Sequence, residues 1–152
     1  MSENTNENRI ERSIELKAPL SKVWKAITDH NEFGQWFGCQ FDGPFVVAKT
    51  IPGKLNFPDF DHMQWAVDVK KMEPERLFSF TWHPYPADPA IDYTKETPTL
   101  VEFKLQSIPG GTLLTVIESG FENIPANRRL EAFRMDTEGW IEQLENVAKY
   151  VQ

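Results

Sequence analysis

The stretch from Pro125 to Gln152 constrains the fold more than any other part of the chain. Leu130, Phe133, Thr137, Trp140, Leu144, Val147, Ala148 and Val151 recur at steps of three and four. At about 100° per residue these positions share one arc of a helix. Glu131, Glu138, Glu142, Glu145 and Lys149 fall opposite, as a solvated face requires. Pro125 suits a first helical turn, where its missing N–H costs nothing, and Glu145 and Lys149 form the favourable i,i+4 pair. A helix of roughly 25 residues is about 37 Å long, enough to span a small domain. The stretches before it read mostly as strands, so the sequence predicts one sheet packed on one long helix.

Arg9 to Lys17 alternates, with Ile10, Arg12, Ile14 and Leu16 on one face and Glu11, Glu15 and Lys17 on the other. Pro19 then opens a short helix that buries Val23, Trp24 and Ile27 and stops near Asp29. Asn31 is expected to cap a further turn through Trp36 and Phe37. Between Phe41 and Phe60, the turn signals Gly43-Pro44, Pro52-Gly53 and Pro58-Asp59 separate expected short strands near Gln40–Phe41, Val46–Thr50 and Lys54–Phe57. Met63, Trp65, Val67 and Val69 alternate with polar residues. Phe78, Phe80 and Trp82 do the same after the Glu73-Pro74-Glu75 turn, giving a hairpin. Val101, Phe103 and Leu105 form the next strand. Leu113 to Glu118, apolar on both faces, reads as a central one. Hairpin connections imply an antiparallel sheet, and the layers imply an α+β domain. The proline-rich segment from His83 to Pro98 is long for a compact domain, which marks it as a functional loop or lid.

Composition narrows the function. Sixteen Lys+Arg against 23 Asp+Glu give a net charge of -7, with no basic block to attract nucleic acid or anionic membrane. No run approaches the roughly 20 apolar residues of a membrane span. Met1 to Asn8 is polar and acidic, so it reads as a frayed tail and not a signal peptide. A cytoplasmic protein is expected. Cys39 is alone, which excludes an internal disulfide and a cysteine-ligated cluster. With no Gly-x-Gly-x-x-Gly stretch, no flavin or nicotinamide cofactor is expected.

The order of several motifs carries a resemblance. Arg9-Ile10-Glu11-Arg12-Ser13-Ile14, Ala18-Pro19 and Val23-Trp24 resemble the opening of the START-like (SRPBCC) superfamily. Thr28-Asp29, Trp36-Phe37, Met72-Glu73-Pro74-Glu75-Arg76-Leu77, Glu118-Ser119-Gly120-Phe121 and Gly139-Trp140 resemble the branch homologous to the activator of the ninety-kilodalton heat-shock chaperone ATPase. The resemblance covers Arg9 to the C-terminus, so residues 1–8 are expected as tail and 9–152 as one START-like domain. It implies the helix-grip fold: a curved antiparallel sheet of six or seven strands around the C-terminal helix, one or two short helices after the first strand, and a cavity between sheet and helix. Members bind lipids, hormones and polyketides, and some are catalysts or co-chaperones, so the fold alone does not choose an activity.

Trp65, Phe78, Phe80, Trp82, Phe103, Phe133 and Trp140 point to the concave side by parity or helical phase, and Glu118 shares inward parity with Leu114 and Val116. They form either a packed core or, as the resemblance implies, the lining of a cavity for a small hydrophobic or aromatic molecule. A protein-binding, co-chaperone-like module is the second reading. A cyclase or hydrolase using Glu118, His83 or Tyr93 as acid or base is the third. Arg12 shares the inward parity of Ile10, so it either pairs with Glu118 or snorkels to water. His83 has opposite parity to Trp82, which favours solvent over the cavity mouth. Asp59, Asp61 and His62 read as a polar loop in preference to a metal site, and His30, His62 and His83 lack metal-ligand spacing. Cys39 reads as an inert small residue. Gly139 lies opposite the Trp140 stripe, where a bend or close packing would explain it.

Overall fold

The computed structural model describes residues 8–56, 65–84 and 90–152. Strand β1 (Arg9–Leu16) leads into helices α1 (Leu20–Thr28) and α2 (His30–Phe37). Strands β2 (Cys39–Phe41), β3 (Thr50–Leu55), β4 (Trp65–Glu73), β5 (Leu77–Trp82), β6 (Thr99–Ile108) and β7 (Gly111–Ser119) follow, and helix α3 (Ala126–Val151) closes the chain. The strands form one sheet in the order β1-β7-β6-β5-β4-β3-β2, every neighbouring pair antiparallel. This is the expected helix-grip, α+β arrangement. Among the described residues, no helix is long and apolar enough to cross a membrane.

Local chemistry explains the element ends. Asp29, not Asn31, caps α2: its carboxylate accepts from the backbone N–H of Asn31 and Glu32 at 2.9 and 3.1 Å. Gly38 ends α2 at φ 92°, the left-handed conformation favouring glycine. The expected strand Val46–Thr50 is largely loop; the strand there is β3, which runs straight through Pro52-Gly53. Pro52 sits opposite Ala66, past the β2 pairing that ends at Gly53, where a strand proline is tolerated. At Gly53 a Cβ would meet the Phe41 ring at 2.9 Å, so the glycine makes room for an aromatic instead of turning the chain. Met63 and Phe57 lie outside the described residues.

The helix α3 buries Ala132, Trp140, Gln143, Leu144, Val147 and Val151, and Glu131, Glu138, Glu142, Glu145 and Lys149 are exposed. Leu130, expected on the inner arc, is 54% exposed; the buried stripe begins later, at Ala132. Arg12 is exposed and donates to the Glu11 carbonyl at 2.9 Å. Its cross-strand partner is Val116, while Glu118 pairs with Ile10, so Arg12 snorkels and does not meet Glu118. Around Gly139 a Cβ would meet nothing within 4 Å among the described residues, so packing against α1 is not its reason.

Candidate functional site

Pleating sets one end of the inner face. Trp82 on β5 pairs with Thr99 on β6, and Val101, two residues on from Thr99, pairs with Glu118 on β7. Residues two apart share a face, so Trp82, Thr99 and Glu118 converge. The helix α3 crosses above them with Trp140, and Asp136 lies one turn before it.

Glu118 is fully buried. Its Oε2 accepts from the Trp82 indole Nε1 at 2.8 Å and from the Thr99 hydroxyl at 2.5 Å, and its Oε1 accepts from Trp140 Nε1 at 2.9 Å. Three neutral donors from two strands and the helix thus replace water around one carboxylate. Asp136 is half-buried as a residue, but its carboxyl turns inward and Oδ2 is sealed from solvent with no donor. Burial pushes its pKa well above the usual carboxylate range. The Glu118 charge and a hydrogen bond to Glu118 push it further, against a smaller opposing pull from Arg128. Both Glu118 oxygens already accept from N–H and O–H donors, which fits the direction of the shift, toward the protonated form of Asp136.

Arg128, two turns before Asp136, fastens the β5–β6 connection to α3. Its Nε and Nη2 donate to both oxygens of Glu96 at 2.7–3.0 Å, and Nη2 also donates to the Pro84 carbonyl at 3.0 Å. The guanidinium lies 4.7 Å from the centroid of the Tyr93 ring. His83 lies beside this clamp. It is half-buried, its Nδ1 is buried without a partner, and its pKa is lowered by burial against the raising influence of Glu96, Asp68 and Asp92. Strand alternation ends at Trp82, so parity does not set the facing of His83.

The predicted aromatic residues are brought together, with one exception. Trp65, Phe78, Phe80, Trp82, Phe103 and Trp140 are all buried. Trp82 stacks on Trp140 with centroids 5.6 Å apart, Trp65 lies 5.6 Å from Trp82, and Phe103 meets Trp140 edge-on at 5.6 Å. Phe133 is only half-buried and packs edge-on against Phe121. Phe33, Phe37, Phe41 and Phe45, which periodicity did not select, fill the centre. Phe33 alone touches Trp36, Phe37, Phe41, Phe45, Phe80 and Phe103. Much of the inner face is therefore ring on ring. Trp36 donates to the Ala26 carbonyl at 2.8 Å, whereas the Trp65 indole N–H meets no acceptor among the described residues.

Sequence reasoning also missed Asp136 and Thr99. Asp136 stands four residues before Trp140 and three after Phe133, on the apolar arc, which is the available signal for a carboxyl turned inward. Cys39 is buried, its thiol pushed up to about 12 by desolvation, as suits an inert position. Among the described residues no three of His, Cys, Asp and Glu gather as a metal would need. Asp59, Asp61 and His62 lie outside those residues.

The sequence profile of the Activator of Hsp90 ATPase homolog 1-like proteins matches residues 17–152. No curated protein matches significantly by sequence. Among solved structures, protein MLL2253 from Mesorhizobium loti is 22% identical, with a TM-score of 0.73 over 93% of this chain and 95% of that one. The Aha1 dimer from Colwellia psychrerythraea is 19% identical, with a TM-score of 0.70 over 94% and 95%. DynU16, from the dynemicin biosynthetic locus, is 22% identical with a TM-score of 0.71; the match covers 94% of this chain and only 46% of that one. At these identities the structures establish the shared fold.

Proposed function

Since the chain belongs to the Activator of Hsp90 ATPase homolog 1-like family, within the START-like superfamily, we propose that it binds a small, largely apolar or aromatic molecule between the sheet and α3. The observation that carries this reading is the Glu118–Asp136 pair. Glu118 serves the fold by meeting three buried donors, but the Oδ2 of Asp136 meets none, and an apolar residue of the same volume would serve the core there as well or better. Acid groups kept at such a cost mark a site. His83 Nδ1, buried without a partner among the described residues, is a further group that a ligand or a water would satisfy. The proposed lining comprises Trp65, Phe78, Phe80, Trp82, Phe103, Glu118, Phe133 and Trp140, with Asp136 and His83 added. The clamp of Arg128 on Glu96 lies at the polar end.

The test is native mass spectrometry of the purified protein for a co-purifying molecule, followed by a thermal-shift screen of neutral, anionic and cationic aromatic compounds. A true ligand at about 100 times its dissociation constant adds roughly 2.7 kcal/mol of stability. Trp82→Phe should weaken binding more than Lys104→Ala, which alters an exposed position. Absence of any co-purifying molecule and of any shift sinks the reading.

One observation favours the alternative of a protein-binding module. Leu130 and Ile141 on α3 are 54% and 48% exposed and lie about three turns apart on one stripe. Loss of a pulled-down chaperone partner on Leu130→Lys with Ile141→Lys would support it.

A further inference from the structure

We propose that the polar end of this site selects its ligand by charge, taking a neutral molecule with a hydrogen-bonding head such as a hydroxyl and refusing a carboxylate, with Asp136 as the residue that receives the head. The inference rests on the binding reading above and adds a head-group class to it.

The charges at this end decide the matter. Glu118 brings a buried carboxylate whose two oxygens already accept three hydrogen bonds. Asp136 lies against it, its carboxyl turned inward with Oδ2 buried and unpartnered, and burial and the Glu118 charge push it toward the neutral form. The neighbouring cation on the same helix, Arg128, is spent on Glu96, whose two oxygens it grips, with both side chains close to nine-tenths buried. An arriving carboxylate would therefore lie beside Glu118 in a medium of low polarity, where like charges a few ångströms apart repel strongly. It would have to break the Arg128–Glu96 pair to find a counterion, leaving Glu96 buried and unpaired. A hydroxyl meets neither obstacle. It can donate to the Oδ2 of Asp136, which is buried and without a partner. A neutral donor satisfies such an acceptor without new charge.

The deciding experiment uses two probes with one apolar body, 2-naphthol and 2-naphthoate, titrated calorimetrically into the intact protein near neutral pH. We expect 2-naphthol to bind at least about tenfold more tightly. Asp136→Asn, which keeps a neutral polar group, should hold 2-naphthol affinity within about threefold. Asp136→Leu, which removes it, should lose about tenfold or more. Equal or tighter binding of 2-naphthoate overturns the charge selection while leaving the binding reading intact. So does unchanged 2-naphthol affinity in Asp136→Leu, for Asp136 itself. If neither probe binds and the wider screen is also blank, the binding reading falls and this inference falls with it.

Discussion

The indoles of Trp82 and Trp140 lie nearly parallel, with 18° between their planes, and each gives its N–H to a different oxygen of Glu118. One residue comes from the sheet and the other from the helix, so the carboxylate joins the two layers. Glu118→Leu strands both indole donors and the Thr99 hydroxyl. Each buried donor left unmet costs about 1–3 kcal/mol, offset in part because no charge is buried any longer. Urea unfolding should show a net loss of about 2–4 kcal/mol for Glu118→Leu. Glu118→Gln, which retains one carbonyl oxygen, should lose less. A leucine variant as stable as the parent would show that the indoles reach other acceptors.

Trp140 also contributes packing. Its ring touches Trp82, Phe103 and Phe37 and it is only 3% exposed. Trp140→Ala should cost roughly 3–5 kcal/mol by denaturant unfolding. A loss under about 1 kcal/mol would mean that α3 does not meet the sheet at this point.

The proton on Asp136 makes stability depend on pH. Its folded pKa lies above the unfolded value near 3.8, so the folded state binds more protons in that window. The contribution is therefore fully present below the unfolded pKa and is lost as pH rises through the folded one. Asp136→Asn should flatten this decline while leaving stability at low pH nearly unchanged. His83 acts with the opposite sign. Its folded pKa is lowered, so stability falls as pH drops below about 6.5, and His83→Gln should remove that loss. Thermal melts across pH on the parent and both variants would check each sign.

Gly139 is a helix-interior glycine whose added methyl meets nothing within 4 Å. Gly139→Ala should stabilise the protein by about 0.5–1 kcal/mol. A destabilised variant would reveal a contact on that face, with a partner molecule or another part of the chain.

Strands were legible where alternation is clean. Trp65, Val67 and Val69 on β4 and Phe78, Phe80 and Trp82 on β5 sit where parity places them, all buried. The amphipathic arc of α3 was legible from Trp140 onward. Parity turns the Arg12 Cβ inward, and the long side chain carries its charge out to water, the snorkelling alternative of the two expected. Turn signals misled at Pro52-Gly53, because glycine serves close packing as well as turning. The site was half visible. Glu118 and the tryptophans follow from strand phase, but Thr99 and Asp136 join them only through the alignment of β5, β6 and β7 beneath α3. No local pattern encodes that alignment. Phe33, Phe37, Phe41 and Phe45 lie on α2, β2 and the loop that follows, where periods are too short to read.

The two edges of the sheet belong to strands consecutive in sequence. β1 holds one edge and β2 the other, with α1 and α2 carrying the chain between them, and Arg9 of β1 pairs with Ser119 of β7. During synthesis β1 therefore leaves the ribosome long before its partner exists. The β4–β5, β5–β6 and β6–β7 hairpins can close as they emerge, but β1 must wait for β7 and α3 for the finished sheet. Late sealing of this kind makes folding slow for the chain's length and leaves a strand edge open to wrong pairings in the interval. Nascent chains stalled before Gly111 should be the aggregation-prone species, and release past α3 the step that protects them.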